Sequence, residues 1–156
     1  MQIDIGLDQA TRSHLADGLG RLLADSFTLY LETHRFHWNV EGPFFSSLHA
    51  LFEVQYTELW TAIDEIAERI RALGAHAPGS FAEFGALASL TQADGNPDAD
   101  AMVRRLIGGH ESLVRLLREL LPAAAEAGDE STAALLGDRL RVHEKTAWML
   151  RASLPR

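Results

Sequence analysis

Four long runs of helical periodicity, with no alternating strand pattern between them, constrain this chain more than any other feature. Leu15, Leu19, Leu22, Leu23, Phe27, Leu29 and Tyr30 recur near helical spacing, so a first helix is expected from about Asp8 to Arg35, capped by Asp8. Glu41-Gly42-Pro43 interrupts the pattern. Proline suits a first helical turn, so a second helix is expected from about Pro43 to Leu73, with Gly74 as its stop. Ala75 to Pro97 reads as a connector, and Ser80 and Glu83 have the spacing of a capping box for a short helix within it. A third long helix is expected from about Asp98 to Ala127, with Gly108-Gly109 weakening it and a bend or break near Pro122. A fourth runs from about Glu130 to Ser153 and ends before Pro155. Four long helices with a long central connection predict an all-α, ferritin-like four-helix bundle with a short helix in the connector, as one domain over residues 1–156.

Composition excludes several classes. There is no cysteine, which removes disulfides, thiolate metal sites and thiol catalysis. No apolar run reaches the ~18 residues of a membrane span. No basic and apolar leader opens the chain, so a cytoplasmic location is expected, with nucleoid association as an added possibility. The net charge of −8 opposes phosphate backbones and suits cations. It also suits simple solubility. Neither Gly-x-x-x-x-Gly-Lys nor Gly-x-Ser-x-Gly occurs, so nucleotide loops and serine nucleophiles find no support.

The chemistry-bearing residues concentrate between His34 and Glu68. His37, His49, Glu53, Asp64 and Glu68 offer imidazole and carboxylate, the ligand set of Fe(II), Mn or Zn. Iron fits both of its oxidation states, since imidazole suits Fe(II) and carboxylate oxygen suits Fe(III). His49 and Glu53 share one helix face, and so do Asp64 and Glu68. Yet His49 and Asp64 lie about 22 Å apart along the axis at 1.5 Å per residue. One straight helix cannot close both pairs on one metal. Two copies crossing antiparallel at a point between Glu58 and Leu59 do close them: His49 then meets Glu68 of the partner subunit, and Glu53 meets Asp64 of the partner subunit. A metal site between subunits, and a dimer, follow. His37 lies beside the Gly42-Pro43 break, within reach of the same place. The plainer alternative is that these carboxylates line a solvated face. Di-iron sites inside one bundle use Glu-x-x-His motifs, and this chain has none.

The segment His37-Trp38-Asn39-Val40-x-Gly42-Pro43-x-Phe45-x-x-Leu48-His49, followed by Glu53, Asp64 and Ala67-Glu68-Arg69, resembles the Dps family of mini-ferritins. The helical layout extends the resemblance over the whole chain, including His143-Glu144-Lys145-Thr146-Ala147-Trp148. It implies a ferroxidase centre with His37, His49 and Glu53 from one subunit and Asp64 and Glu68 from its two-fold mate. Glu53 departs from the Asp common at that position. The resemblance further implies a hollow homo-dodecamer that oxidises Fe(II), with hydrogen peroxide preferred over oxygen, and stores the ferric mineral. Trp38 either relays an electron or packs at the dimer interface. His34 is either a second layer behind the site or a packing group. Glu126, Asp129 and Glu130 fall near the family's three-fold pores, where they line a cation funnel or simply cap helix ends. His14, His76 and His110 read as surface or loop residues, and His143 as structural. DNA binding is the family's other activity. Here Met1 to Leu7 carries Asp4 and no Lys or Arg, and Arg151 and Arg156 add little at the other end, so DNA is not an expected partner. A nucleoid-compacting protein with minor iron chemistry is the alternative function, and a purely structural oligomer a further one.

Overall fold

Helix ends in this chain are written by short polar side chains. The structure, a computed structural model, describes residues 3–154. Met1 and Gln2 of the tail, and Pro155 and Arg156, lie outside them. The Asp8 carboxylate accepts the Thr11 amide at 2.7 Å and starts α1, Gln9–Asn39. Helix α2, Phe45–Ala72, begins without a side-chain cap. Ser80 and Glu83 form both arms of a capping box on α3, Phe81–Leu87. Asp98 caps α4, Ala99–Glu126, through the Ala101 amide at 2.8 Å. Asp129 caps α5, Glu130–Ala152, through the Thr132 amide at 3.0 Å.

Three boundaries differ from those expected. α1 continues past Arg35 to Asn39, because Phe36, His37 and Val40 are buried and hold the last turn against the core. α2 starts after Pro43, since Gly42 at φ 110° and the bend that follows complete the reversal first. α4 runs through Pro122 without a break. Pro122 faces solvent, where water can take the Arg118 carbonyl that loses its donor.

The long helices pack as an up-down-down-up bundle. The turn at Gly42 makes α1 and α2 antiparallel, and Gly128, at φ 68°, does the same for α4 and α5. α4 runs antiparallel to α1, because Leu29 approaches Gly109 while Leu120 approaches Gly18. At both glycines an added Cβ would meet the leucine at 2.6 Å, so these two positions set how closely the helices approach. α2 and α5 are also antiparallel, joined by Glu58–Arg139 near the middle of both helices and by Arg69–Thr132 where α2 ends and α5 begins. α2 and α4 are therefore parallel, and the connector between them must travel the length of the bundle. Leu22, Leu29 and Phe36 of α1, Phe52, Leu59 and Ile66 of α2, Leu106, Leu113 and Leu117 of α4, and Leu136 and Leu150 of α5 fill the core. Each such side chain contributes about 1.5–3 kcal/mol when fully buried.

The connector is fastened to α1 by two buried carboxylates. Asp25 accepts the Ser89 amide and hydroxyl, both at 2.7 Å, and the Leu90 amide at 3.0 Å. Glu32 accepts the Ala93 amide at 2.7 Å and pairs with Arg105 at 3.1 Å. Phe84 of α3 stacks on Phe27 with ring centres 4.6 Å apart. Removing Asp25 takes the shared acceptor from three donors, two on the exposed Ser89 and one on the half-buried Leu90. Asp25→Ala is expected to cost about 3 kcal/mol of stability in urea unfolding, whereas a loss within the scatter of surface mutations would mean the clamp carries no energy.

A polar layer interrupts the apolar core. Arg139, buried on α5, pairs with Glu58 of α2 and also donates to His143 Nε2 at 3.2 Å. Arginine only donates, so His143 carries its proton on Nδ1 and donates it to His110 Nδ1 at 2.8 Å. The His110 proton is thereby placed on Nε2, which has no hydrogen-bond partner among the described residues. Gln55, one turn before Glu58, has neither amide atom partnered among the described residues. His110 is thus a core residue and not a surface one, at 2 % exposure. His143 is fully buried, as a structural histidine should be. His14 and His76 are exposed.

Candidate metal centre

The break at Gly42-Pro43 folds the end of α1 onto the start of α2 and brings two of the expected ligands together. The His37 and His49 rings stack with centres 3.7 Å apart and planes 19° apart. Their hydrogen bonds are reciprocal. His37 Nδ1 donates to the His49 carbonyl at 2.8 Å, and His49 Nδ1 donates to the His37 carbonyl at 2.8 Å. A carbonyl only accepts, so each Nδ1 must hold a proton. Each Nε2 is then left with its lone pair, the state in which imidazole binds a metal. His37 is buried and His49 half-buried, so the pair is held rigidly at the rim of the bundle.

The carboxylates are placed differently. Glu53, Asp64 and Glu68 all point to solvent from α2. Glu53 lies one turn beyond His49, while Asp64 and Glu68 lie further along the helix. Among the described residues, no three His, Asp or Glu side chains of one chain converge on a point suited to a metal. The exposed Trp60 shares the outward face of α2 with Glu53 and Asp64, spaced by near-whole turns.

His34 and Trp38 sit on the other side of the histidine pair. The Trp38 ring centre is 4.2 Å from that of His34, and Trp38 is 61 % exposed. His34 stacks on Tyr56 at 3.8 Å and accepts the Tyr30 hydroxyl at Nδ1, 3.1 Å away. Burial, with the neighbouring His37, lowers the pKa of His34 and favours this neutral acceptor. Burial, then Tyr56, raises that of Tyr30, which stays a phenol. Tyr56 also meets His37 edge-on at 5.1 Å. Sequence reasoning used Tyr30 only as a helix-periodic apolar position and did not single out Tyr56. The signal was the four-residue step from Tyr30 to His34.

At the turn between α4 and α5, Glu126 and Glu130 are exposed, but Asp129 is not. Burial works against its charge. The Thr132 hydroxyl and amide and the Arg69 guanidinium outweigh that and hold the Asp129 pKa below its usual value. Both of its oxygens take Arg69 Nη2, at 2.7 and 2.8 Å. Asp129 ties α5 to α2, leaving Glu126 and Glu130 as the carboxylates that face water there.

Five helices in this order, with the connector running between parallel α2 and α4, define a ferritin-like bundle. The Ferritin family model, a ferritin-like domain, matches residues 16–156. The chain is 39 % identical to DNA protection during starvation protein 2 of Bacillus anthracis over 136 residues, covering 87 % of this chain and 93 % of that one. It is 42 % identical to a low temperature-induced protein of Nostoc sp. over 153 residues, covering 97 % and 86 %. The crystal structure of the Dps protein from Vibrio cholerae O1, described as ferritin-like and diiron-carboxylate, superposes with a TM-score of 0.94 at 38 % identity, over 99 % of this chain and 98 % of that one. The chain belongs to the Dps family of the ferritin-like superfamily. Iron storage is the general business of these mini-ferritins. No helix among the described residues is long and apolar enough to cross a membrane.

Proposed function

We propose that the protein is a ferroxidase whose centre is completed across a two-fold axis. The reading rests on the reciprocal lock of His37 and His49, which presents two imidazole lone pairs side by side. Fe(II) is the substrate there, bound by His37, His49 and Glu53 of one subunit and by Asp64 and Glu68 of the partner subunit. Zn or Mn suits the same donors. The exposed Trp60 on the face of α2 that carries Glu53 and Asp64 supports a covered interface there, since a large exposed aromatic among ligands is better buried than wet. Glu53 reaches one methylene further than Asp would, so it can still meet the metal from its place one turn past His49.

Hydrogen peroxide is the preferred oxidant in this reading: it takes one electron from each of two Fe(II) ions and leaves hydroxide. The ferric product is stored inside a hollow dodecamer, with Glu126 and Glu130 drawing cations to the pores. Light scattering before and after Fe(II) and peroxide tests the whole reading. A particle near twelve subunits that gains iron mass is the expected result. A monomer, or a cage that takes up no iron, would refute it.

A further inference from the structure

An apolar cavity of about 130 Å³ lies where α1 meets α4 and α5, at the far end of α1 from His37. Leu15 and Leu19 of α1, Leu120 and Ala123 of α4, and Thr132 and Leu136 of α5 form its walls. The helix contacts explain why it exists. At Gly18 the α1 backbone comes so close to Leu120 that an added Cβ would meet Leu120 Cδ2 at 2.6 Å. That contact fixes the spacing of the two helices. Ala123, about one turn further along α4, is too short to fill the gap that continues past Leu120. Thr132 adds no free polar group, because its hydroxyl donates to Asp129 at 2.6 Å and accepts from Arg69 at 2.9 Å. Apolar cavities of this kind stay dry, and one of about 150 Å³ lined by apolar side chains takes up benzene.

The mouth of the cavity is polar. His14, Asp17 and Arg21 stand exposed around it, at i, i+3 and i+7 on one face of α1. None of the three is in an ion pair among the described residues. Asp17 accepts hydrogen bonds, Arg21 donates them, and His14 does either. A carboxylate placed there would meet Arg21 but face Asp17. An ammonium would meet Asp17 but face Arg21. A neutral hydroxyl suits both, since it donates to one and accepts from the other. We propose that this cavity binds a small neutral phenol, its ring among the leucines and its hydroxyl between Asp17 and Arg21. None of these residues belongs to the proposed iron centre, so the site stands apart from the ferroxidase reading. An occupant that touches α1, α4 and α5 together also stabilises the folded chain, because it binds the folded state alone.

Equilibrium dialysis of the assembled protein against phenol tests the site. One saturable site per chain is expected, with toluene, benzoate and benzylamine each bound at least about tenfold more weakly. Ala123→Leu extends three carbons into the cavity and is expected to abolish phenol binding at unchanged particle mass. Asp17→Ala/Arg21→Ala leaves the cavity and removes its polar mouth, so phenol affinity is expected to fall to that of toluene while toluene itself binds as before. That double variant changes only exposed positions, and it decides the matter if Ala123→Leu fails to assemble. Phenol uptake that does not saturate, or that persists undiminished in Ala123→Leu or in Asp17→Ala/Arg21→Ala, would overturn the proposal. So would wild-type affinity for toluene, benzoate or benzylamine that equals or exceeds that for phenol.

Discussion

His49→Ala is expected to lower peroxide-driven Fe(II) oxidation by about 100-fold or more, a loss at least as large as that of removing a group behind a metal ligand. The variant is unusually clean. His37 Nδ1 donates to the backbone carbonyl of residue 49, and alanine keeps that carbonyl. The tautomer and ring orientation of His37 therefore persist while one imidazole is lost. The same holds in reverse for His37→Ala, because His49 Nδ1 donates to the carbonyl of residue 37. Stopped-flow absorbance of the ferric product, on particles of unchanged mass, gives the rate. Full activity in His49→Ala would remove this residue from the site. Asp64→Ala should fall by a similar factor if the partner subunit completes the centre. Mixing His49→Ala with Asp64→Ala chains should then restore a fraction of wild-type sites, a result that a site within one chain cannot give.

Acid is expected to unfold the protein through its core. Burial, with Arg139 nearby, pushes the His110 pKa down to about 3, and burial, then His110 and Arg139, pushes that of His143 well below its ordinary value. In the unfolded chain both titrate near their usual ~6.5. A folded pKa below the unfolded one means stability is fully present above ~6.5 and falls as pH drops toward the folded value. Each histidine removes up to about 1.4 kcal/mol per pH unit across that window. The charged neighbours reinforce the direction. Arg139 on α5, paired with Glu58 of α2, repels a second positive charge in the layer. From α2 the layer also receives Gln55, which is neutral. Urea midpoints between pH 7.5 and 4.5 should therefore drop steeply in the wild type and more gently in His110→Leu/His143→Leu. Parallel slopes for the two proteins would show that the pair does not control acid stability.

The helices were legible because their ends are local. Asp8, Asp98, Asp129 and the Ser80/Glu83 box act within four residues of themselves, and each stands where the periodicity placed it. The end of α1 moved because it depends on tertiary contacts. The last turn of α1 exists because Phe36 and Val40 find a core, which residues 36–40 do not show by themselves. His110 was also readable in principle. It continues the series of Leu106, Leu113 and Leu117, but a polar side chain in such a series reads as an exposed one. Its burial depends on His143, 33 residues away, and on Arg139 behind that. At the candidate centre, the spacing along α2 conveys which residues share a face. The reciprocal lock of His37 and His49 was not legible, since it depends on how Gly42 reverses the chain. Asp129 sits at the boundary between the two cases: its capping role was local, but its partnership with Arg69 was not.

The clamp on the connector has a consequence for how such a chain can drift. Asp25 and Glu32 hold residues 89, 90 and 93 chiefly by their backbone amides, and the Ser89 hydroxyl is the one side chain of the three that they grip. Every residue except proline offers that amide. The path of the crossing is thus encoded in α1, on a different element from the one it directs, and the clamp itself leaves the letters at 89, 90 and 93 largely free to change. What it does not tolerate is a change of length between those amides. Substitutions should accumulate there readily, while a single inserted residue should be rejected.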